Sequence, residues 1–348
     1  MSVSSFVDLR SDFLTQPTSA MQAAMTAAAH EPACFGLRED RYQQRLEQRV
    51  ATLLGTEDAL LFPTCTMANE VALMLLTAPG DIVLAPPAAH VLTSEAGGPA
   101  ALAGVQIVAV ADNGACPPPA AWEALACAIP DALKPRISAL VLENTHNREG
   151  GLPVSADSTR AVIEVARRHG LRAHLDGSRV FNAAVALGVE TRSLCIGFDT
   201  IAVSLNKGLG APIGAALAGS TEYMKRALVL RQRLGGGIRP TGIIAAAALE
   251  ALNSIADLAN DHARARTLVT GLATMRSIEV NVAAVQTNIV IVDVRPSGLS
   301  AAEMCTRLAE HGLLALPFGR QRVRLVVYRG IGDDDITRAV AAFRAVCS

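Results

Sequence analysis

Aromatic residues are scarce in this 348-residue chain, at 3% of the total, and the few present are scattered. Basic patches are missing as well. Lysine and arginine are spread along the chain, and the formal net charge is −1. Nucleic acid and anionic membrane are therefore poor partners. Half the residues are apolar and mean hydropathy is +0.32. Even so, no apolar run in the sequence reaches the roughly 20 residues of a membrane helix. The longest, near residues 242–252, is alanine-rich and reads as a buried helix. The seven cysteines (Cys34, Cys65, Cys116, Cys127, Cys195, Cys305, Cys347) are an odd number without C-x-x-C spacing, which argues against disulfides and zinc. No metal site is expected. A basic start, an apolar core and a small-residue cleavage site are not found at the N-terminus, so the expected location is cytoplasmic.

What the chain does have is alternation. Apolar strand-like runs at 59–62, 82–85, 105–110, 139–142, 172–175, 200–204 and 213–218 are separated by helical stretches. The helices are read at 18–29, 40–54, 67–76, 155–169, 220–233 and 243–275, the last broken near 257–261. This pattern predicts an α/β fold, a parallel sheet with helices on both faces. Strands near 289–294 and 322–327, with helices at 300–311 and 333–346, read as a small second domain. The expected division is a large domain over 1–275 and a small α+β domain over 276–348. No internal repeat or low-complexity linker is seen.

The most informative stretch is Ser204-Leu205-Asn206-Lys207-Gly208-Leu209-Gly210-Ala211-Pro212. It holds one lysine between a strand-like run and a pair of glycines. Such a lysine can simply mark a turn. It can also sit at a fixed point in a desolvated pocket, where its pKa falls and the amine becomes free to form a Schiff base. About thirty residues earlier, His174-Leu175-Asp176-Gly177-Ser178-Arg179 follows an apolar run and opens an alanine-rich helix. Asp176 can be the N-cap of that helix. It can also keep a pyridine nitrogen protonated and turn the ring into an electron sink. Acid and lysine together, each at a strand end, argue for pyridoxal 5'-phosphate.

Other candidates are less specific. Thr64-Cys65-Thr66-Met67 lies between a strand and a helix, where backbone N–H groups form a phosphate cradle or the threonines simply cap. His90, after Pro86-Pro87, can stack on a planar ring or move a proton, or be an incidental loop histidine. His146, in Glu143-Asn144-Thr145-His146-Asn147, belongs to a polar cluster better explained by a site than by a core. Asp8-Leu9-Arg10-Ser11-Asp12 is a charged start that can be surface alone. Arg324, on a C-terminal strand, can fix a substrate carboxylate with its two-pronged geometry or be exposed.

With these residues laid out, the chain resembles the L-threonine aldolase family of pyridoxal-phosphate enzymes, of the low-specificity type. The resemblance runs from Val7-Asp8-Leu9-Arg10-Ser11-Asp12 through Thr66-Met67-Ala68-Asn69, Ala89-His90 and Glu95-Ala96-Gly97-Gly98. It continues through Glu143-Asn144-Thr145-His146-Asn147, His174-Leu175-Asp176-Gly177, Arg179, Phe181-Asn182-Ala183, Lys207 to Pro212, and Leu234-Gly235-Gly236-Gly237-Ile238-Arg239. It implies the aspartate-aminotransferase-like fold type I, a three-layer, doubly wound, mostly parallel seven-stranded sheet with a small C-terminal α+β domain. It implies that Lys207 carries the cofactor as a Schiff base, that Asp176 pairs with the pyridine nitrogen and that His90 stacks on the ring. Thr66 and the amide of Cys65 would bind phosphate. Arg179, Ser11 and Arg324 would hold the substrate carboxylate or the cofactor's phenolic oxygen. His146 would lie near the substrate β-hydroxyl, with His90, His146 or an ordered water as base. Arg239 would reach the phosphate of a neighbouring subunit, which implies a homodimer or homotetramer with shared sites. The implied reaction is retro-aldol cleavage of a β-hydroxy-α-amino acid, of the L-threonine or L-allo-threonine type, to glycine and an aldehyde. β-Elimination, transamination and racemisation share Lys207 and Asp176, and a non-catalytic cofactor-binding or regulatory protein is a further alternative.

Four departures from the family's pattern stand out. Thr64-Cys65 replaces Ser-Gly, and Ser178 stands where alanine is usual. Phe35-Gly36-Leu37-Arg38 replaces a tyrosine-glycine-acidic loop and is expected to bring Arg38 near the site. Val327-Tyr328 replaces Thr-His.

Overall fold

The computed structural model describes residues 6–32, 34–111, 114–127 and 134–347. Its elements begin with the short strand β1 (Val7–Asp8), α1 (Ser19–Ala29), α2 (Arg41–Leu54), β2 (Asp58–Phe62), α3 (Cys65–Leu76), β3 (Ile82–Ala85) and α4 (His90–Thr93). They continue with β4 (Gln106–Ala109), α5 (Pro119–Ala126), β5 (Ile137–Glu143), α6 (Ala156–Arg168), β6 (Arg172–Gly177), α7 (Val180–Leu187) and β7 (Thr200–Ser204). Then come β8 (Ala215–Gly219), α8 (Thr221–Arg233), α9 (Gly242–Ala251), α10 (Leu258–Leu272) and β9 (Ile289–Asp293). The chain ends with α11 (Ala301–Glu310), β10 (Leu313–Leu314), β11 (Leu316–Pro317), β12 (Arg322–Val326) and α12 (Asp333–Cys347).

Seven strands form the central sheet in the order β2-β8-β7-β6-β5-β3-β4. β8 runs antiparallel to both neighbours, and every other pairing is parallel. Successive side chains of a strand face opposite sides, and both faces here are dry. On β5, Leu140 and Leu142 enter one core while Ala139 and Val141 enter the other. β7 repeats this, with Ile201 and Val203 on one side and Ala202 on the other. Burial on both faces is why these strands read as continuous apolar runs instead of alternating ones. α3 and α8 cover one face, while α1, α2, α6, α7 and α9 cover the other. The layers number three, as expected.

Helix boundaries follow local chemistry. Asp40 caps α2 by accepting from the N–H groups of Tyr42 and Gln43. Gly55 ends it in the left-handed region at φ 71°. The break expected near 257–261 comes slightly earlier. A 3-10 segment, Leu252–Asp257, joins α9 to α10 with Ser254 outside helical geometry. The run Gly242–Leu272 is long and apolar enough by length and composition to cross a membrane. In this fold its apolar face packs into the two cores, and Ser254 interrupts it. α5, missed by the sequence reading, is anchored by the buried Trp122, whose indole donates to Pro117 O at 2.9 Å.

A second sheet, β11-β12-β9, carries the C-terminal core. That core reaches back along the chain to Val7 and Leu9, and to Ala265, Leu268, Val269 and Leu272 of α10. β1 pairs with β10, Val7 opposite Leu313. Residues 7–8 are thereby tied to the C-terminal core.

Gly177 closes β6 close against the backbone of β7. A Cβ there would stand 2.8 Å from Ala202 O on β7. Gly177→Ala is expected to push β6 from β7, cost about 1–3 kcal/mol of stability and weaken cofactor retention, as read by urea unfolding and by cofactor released on gel filtration.

Candidate active site

The C-terminal ends of β5, β6 and β7 lie side by side and deliver Glu143, Asp176 and the loop of Lys207. Glu143 is in register with Asp176, and Asp176 with Ala202. This is the edge at which an open α/β sheet places its ligands.

Asp176 is 1% exposed. Its Oδ2 accepts from Asn69 Nδ2 at 3.0 Å, and its Oδ1 from the Ser178 backbone at 3.1 Å and Ser178 Oγ at 2.6 Å. Burial pushes its pKa up, but His90, Lys207 and the Ser178 hydrogen bond outweigh this, and the net shift is downward. Asp176 stays a carboxylate. Asn69 is fixed from behind by His174, whose Nε2 lies 3.0 Å from Asn69 Oδ1 and whose Nδ1 lies 2.9 Å from Thr200 Oγ1. Burial lowers the His174 pKa to about 4, so the ring is neutral. Asn69 Oδ1 only accepts, which assigns the ring proton to Nε2 and makes Nδ1 the acceptor of the Thr200 hydroxyl. The Cys65 thiol completes the arrangement 3.0 Å from Ser178 Oγ. Ser178 donates to the carboxylate, so its oxygen accepts from the thiol. Burial and the Asp176 charge push that thiol up to about 12, so it is not a nucleophile at neutral pH. The two departures at Cys65 and Ser178 are therefore in contact.

His90 opens α4. Its backbone N–H donates to Glu143 Oε2 at 2.8 Å, and its Nδ1 lies 2.7 Å from Glu95 Oε1. An acceptor carboxylate there puts the ring proton on Nδ1 and turns Nε2 outward. Burial lowers the His90 pKa, while Glu95 and Asp176 raise it by more. Lys207 is 7% exposed. Among the described residues its Nζ has no hydrogen-bond or ion-pair partner, only the Phe13 ring 5.3 Å away. Burial and the positive charge of Arg179 pull its pKa below the usual lysine range. A buried amine without a counter-ion at contact distance is poised to react with a carbonyl.

Arg179 binds Asp12 with two prongs, Nε at 2.7 Å and Nη2 at 2.8 Å. Burial would raise the Asp12 pKa, but Arg179 more than offsets this and holds it at about 2. Ser11 Oγ accepts from Phe13 N at 3.2 Å. Arg324 donates from Nη1 to Asn147 Oδ1 at 2.8 Å and from Nη2 to Arg10 O at 3.2 Å, while its buried Nε has no partner among the described residues. At the start of α3, Thr64 caps by accepting from Met67 N, which leaves the N–H groups of Cys65 and Thr66 pointing from the helix end.

The side chains of three expected residues make no hydrogen bond to this cluster among the described residues. Arg239 is exposed, stacked on Phe35 at 5.5 Å and donating to Phe35 O at 3.2 Å. His146 is fully buried. Neither of its ring nitrogens has a hydrogen-bond partner among the described residues, and Nε2 is 3.9 Å from Glu143 Oε2. Arg38 is a correction. Instead of approaching the site it pairs with Asp58 at the opposite end of the sheet, two-pronged at 2.8 and 2.9 Å, and with Glu47. Glu47 also accepts from Leu61 N. A guanidinium follows the two buried or half-buried carboxylates nearest its loop. Sequence reasoning gave no role to Asn69, Glu95 or Asp12. All three lay inside quoted motifs, but polarity alone did not mark them as buried.

His90, Glu95 and Asp176 offer ligand atoms within 4.8 Å of one another, yet Asn69 and Ser178 already occupy the Asp176 oxygens. The donor set fits pyridoxal phosphate better. It provides an unpaired buried amine, an ionised carboxylate across the pocket, an imidazole beside it and free N–H groups at a helix start.

Comparison with known proteins agrees. Residues 8–295 match the beta-eliminating lyase family. The chain belongs to that family. Low-specificity L-threonine aldolase 1 of Arabidopsis thaliana is 37% identical over 347 residues, covering 97% of this chain and 95% of that protein. Low specificity L-threonine aldolase of Escherichia coli strain K12 is 35% identical, covering 97% and 98%. Among solved structures, Leishmania major threonine aldolase superposes with a TM-score of 0.85 at 18% identity, covering 98% of this chain and 99% of that one. A serine palmitoyltransferase from S. paucimobilis, solved with bound PLP-myriocin, gives 0.75 at 18% identity, covering 98% and 87%. The fold is type I of the pyridoxal-phosphate enzymes, as in these two structures.

For this member of the family, Ser178→Ala removes one of three hydrogen bonds to Asp176 and strands the Cys65 thiol. Such a bond is worth about 1 kcal/mol. Affinity for pyridoxal phosphate is expected to fall about fivefold, measured by fluorescence titration of the apoprotein.

Proposed function

We propose that this chain cleaves β-hydroxy-α-amino acids of the L-threonine or L-allo-threonine type to glycine and an aldehyde. The observation that carries the reading is the buried, unpaired Lys207 amine facing an ionised Asp176, in a chain with threonine-aldolase relatives of full length. When bound, pyridoxal phosphate supplies the electron sink into which the electrons of the broken Cα–Cβ bond pass. Lys207 would hold it covalently through its amine. Asp176 would keep a proton on the pyridine nitrogen, His90 would lie against the ring, and the amides of Cys65 and Thr66 would take the phosphate.

The other residues orient the substrate. Arg324 has an uncommitted Nε and takes the substrate carboxylate, with Ser11 beside it. Arg179 is already neutralised by Asp12, so it serves better as a fixed positive charge near the phenolic oxygen than as a second carboxylate clamp. Holding the carboxylate selects which bond to Cα is aligned for cleavage. His146 is favoured over His90 as acceptor of the β-hydroxyl proton, because both its ring nitrogens are uncommitted while His90 Nδ1 is tied to Glu95.

Arg239 and Phe35 are stacked on each other and exposed, which leaves both open to a second copy. We assign Arg239 to the phosphate of the neighbouring subunit, which makes a homodimer the smallest complete unit, in the cytoplasm. We retain the domain boundary at 275/276, with β1 and α10 packing on the C-terminal unit.

The test is incubation with L-threonine and L-allo-threonine. Aldehyde and glycine are the expected products, whereas keto acid and ammonia would indicate β-elimination. Lys207→Ala is expected to remove the visible absorbance of the holoenzyme and lower turnover at least about a thousandfold. Arg324→Ala is expected to raise KM about tenfold to a hundredfold, the loss of one charge-assisted pair. Arg239→Ala should weaken cofactor binding only in the oligomer, seen by comparing sedimentation with cofactor titration.

A further inference from the structure

One buried acid takes no part in that chemistry. Glu70 follows Asn69 on α3 and is 2% exposed. Neither Oε1 nor Oε2 has a hydrogen-bond donor among the described residues. Facing it is Glu95. Its Oε1 accepts from Asn69 Nδ2 at 2.7 Å and from His90 Nδ1 at 2.7 Å, but its Oε2 also lacks a donor. The two carboxyl groups are within hydrogen-bonding reach of each other. Gly98 makes room for them, since a Cβ there would stand 2.1 Å from Glu70 Oε1.

Three buried carboxyl oxygens without a donor do not all belong to carboxylates. A buried charge with neither a partner nor a hydrogen bond takes up a proton instead. One proton held between the two groups supplies the missing donor. We propose that Glu70 is a neutral carboxylic acid in the working protein, donates its proton to Glu95 Oε2, and so positions Glu95 together with the His90 and Asn69 side chains that Glu95 holds.

Glu95 then carries the single negative charge of the pair, and its other oxygen keeps both of its donors. Burial and the neighbouring Glu95 both raise the proton affinity of Glu70. Other titratable groups around the pair are Cys65 on α3, His90 on α4, Glu143 on β5, and Asp176 and the neutral His174 on β6. When Glu70 ionises, a second negative charge appears behind Glu95 and the two carboxylates repel. Glu70 is a positioning residue, and its effect on catalysis rests on the role of His90 given above.

The test uses the holoenzyme and two variants. Infrared spectra at neutral pH are expected to show a protonated-carboxyl band in the wild type that Glu70→Gln lacks. The glutamine amide donates to Glu95 as the acid does, so Glu70→Gln keeps kcat within about threefold, while Glu70→Ala loses at least about tenfold. In the wild type kcat falls as pH rises through the Glu70 titration, and in Glu70→Gln that limb is missing. Because the folded proton affinity exceeds the unfolded one, its contribution to stability is complete below the ordinary carboxyl range and is lost as pH rises through the folded value. The melting temperature of the wild type therefore drops relative to Glu70→Gln between about pH 5 and about pH 9. Absence of the band, or a Glu70→Gln variant as impaired as Glu70→Ala, overturns the proposal. A wild type that shows the band but cleaves no β-hydroxy amino acid upholds the shared proton and refutes the aldolase reading instead.

Discussion

A carboxylate at the end of the central strand β6 must remain ionised with almost no access to water. Much of the surrounding structure follows from that requirement. Isolated, such a charge would take up a proton. Here Asp176 accepts three hydrogen bonds and faces His90 and Lys207. Each of its donors is itself restrained. Asn69 is held by a neutral His174, and that imidazole by Thr200 of the adjacent strand. Ser178 is steered by the Cys65 thiol. The network spans α3, β6, β7 and the loop after β6, so the charge is maintained by the packing of the sheet and not by one neighbour.

The architecture was legible because both faces of the sheet are covered. Strands such as β5 and β7 read as solid apolar blocks, and glycine-proline punctuation separates them. Lys207 and Asp176 were legible for the same reason, since a charged residue directly after such a block needs explaining. Other features depended on contacts between distant segments. α5 has a weak apolar stripe and rests on one buried tryptophan. β1 and β10 are two residues each and exist only by pairing with one another. The role of Asn69 is to join two carboxylates that lie 26 and 107 residues away along the chain, a distance at which no local pattern carries information. Arg38 was placed wrongly because loop position was used where charge pairing decides.

The positive charges in the site divide into two kinds. Arg179 is already matched by Asp12, and it contributes a rigid field that depresses the Lys207 pKa. Arg324 is only partly matched, and its buried Nε has no partner among the described residues. On the function proposed above, the first would be a permanent electrostatic background and the second a group reserved for ligand.

The amino-terminal segment has an unusual mechanical position. Val7 and Asp8 are laced to β10, and four residues after Asp8, Asp12 grips Arg179 at the start of α7. This short strap brings the Asp12 charge into the electrostatic surroundings of Lys207. The pairing of β1 with β10 and the electrical environment of the lysine are thus linked through a handful of backbone bonds.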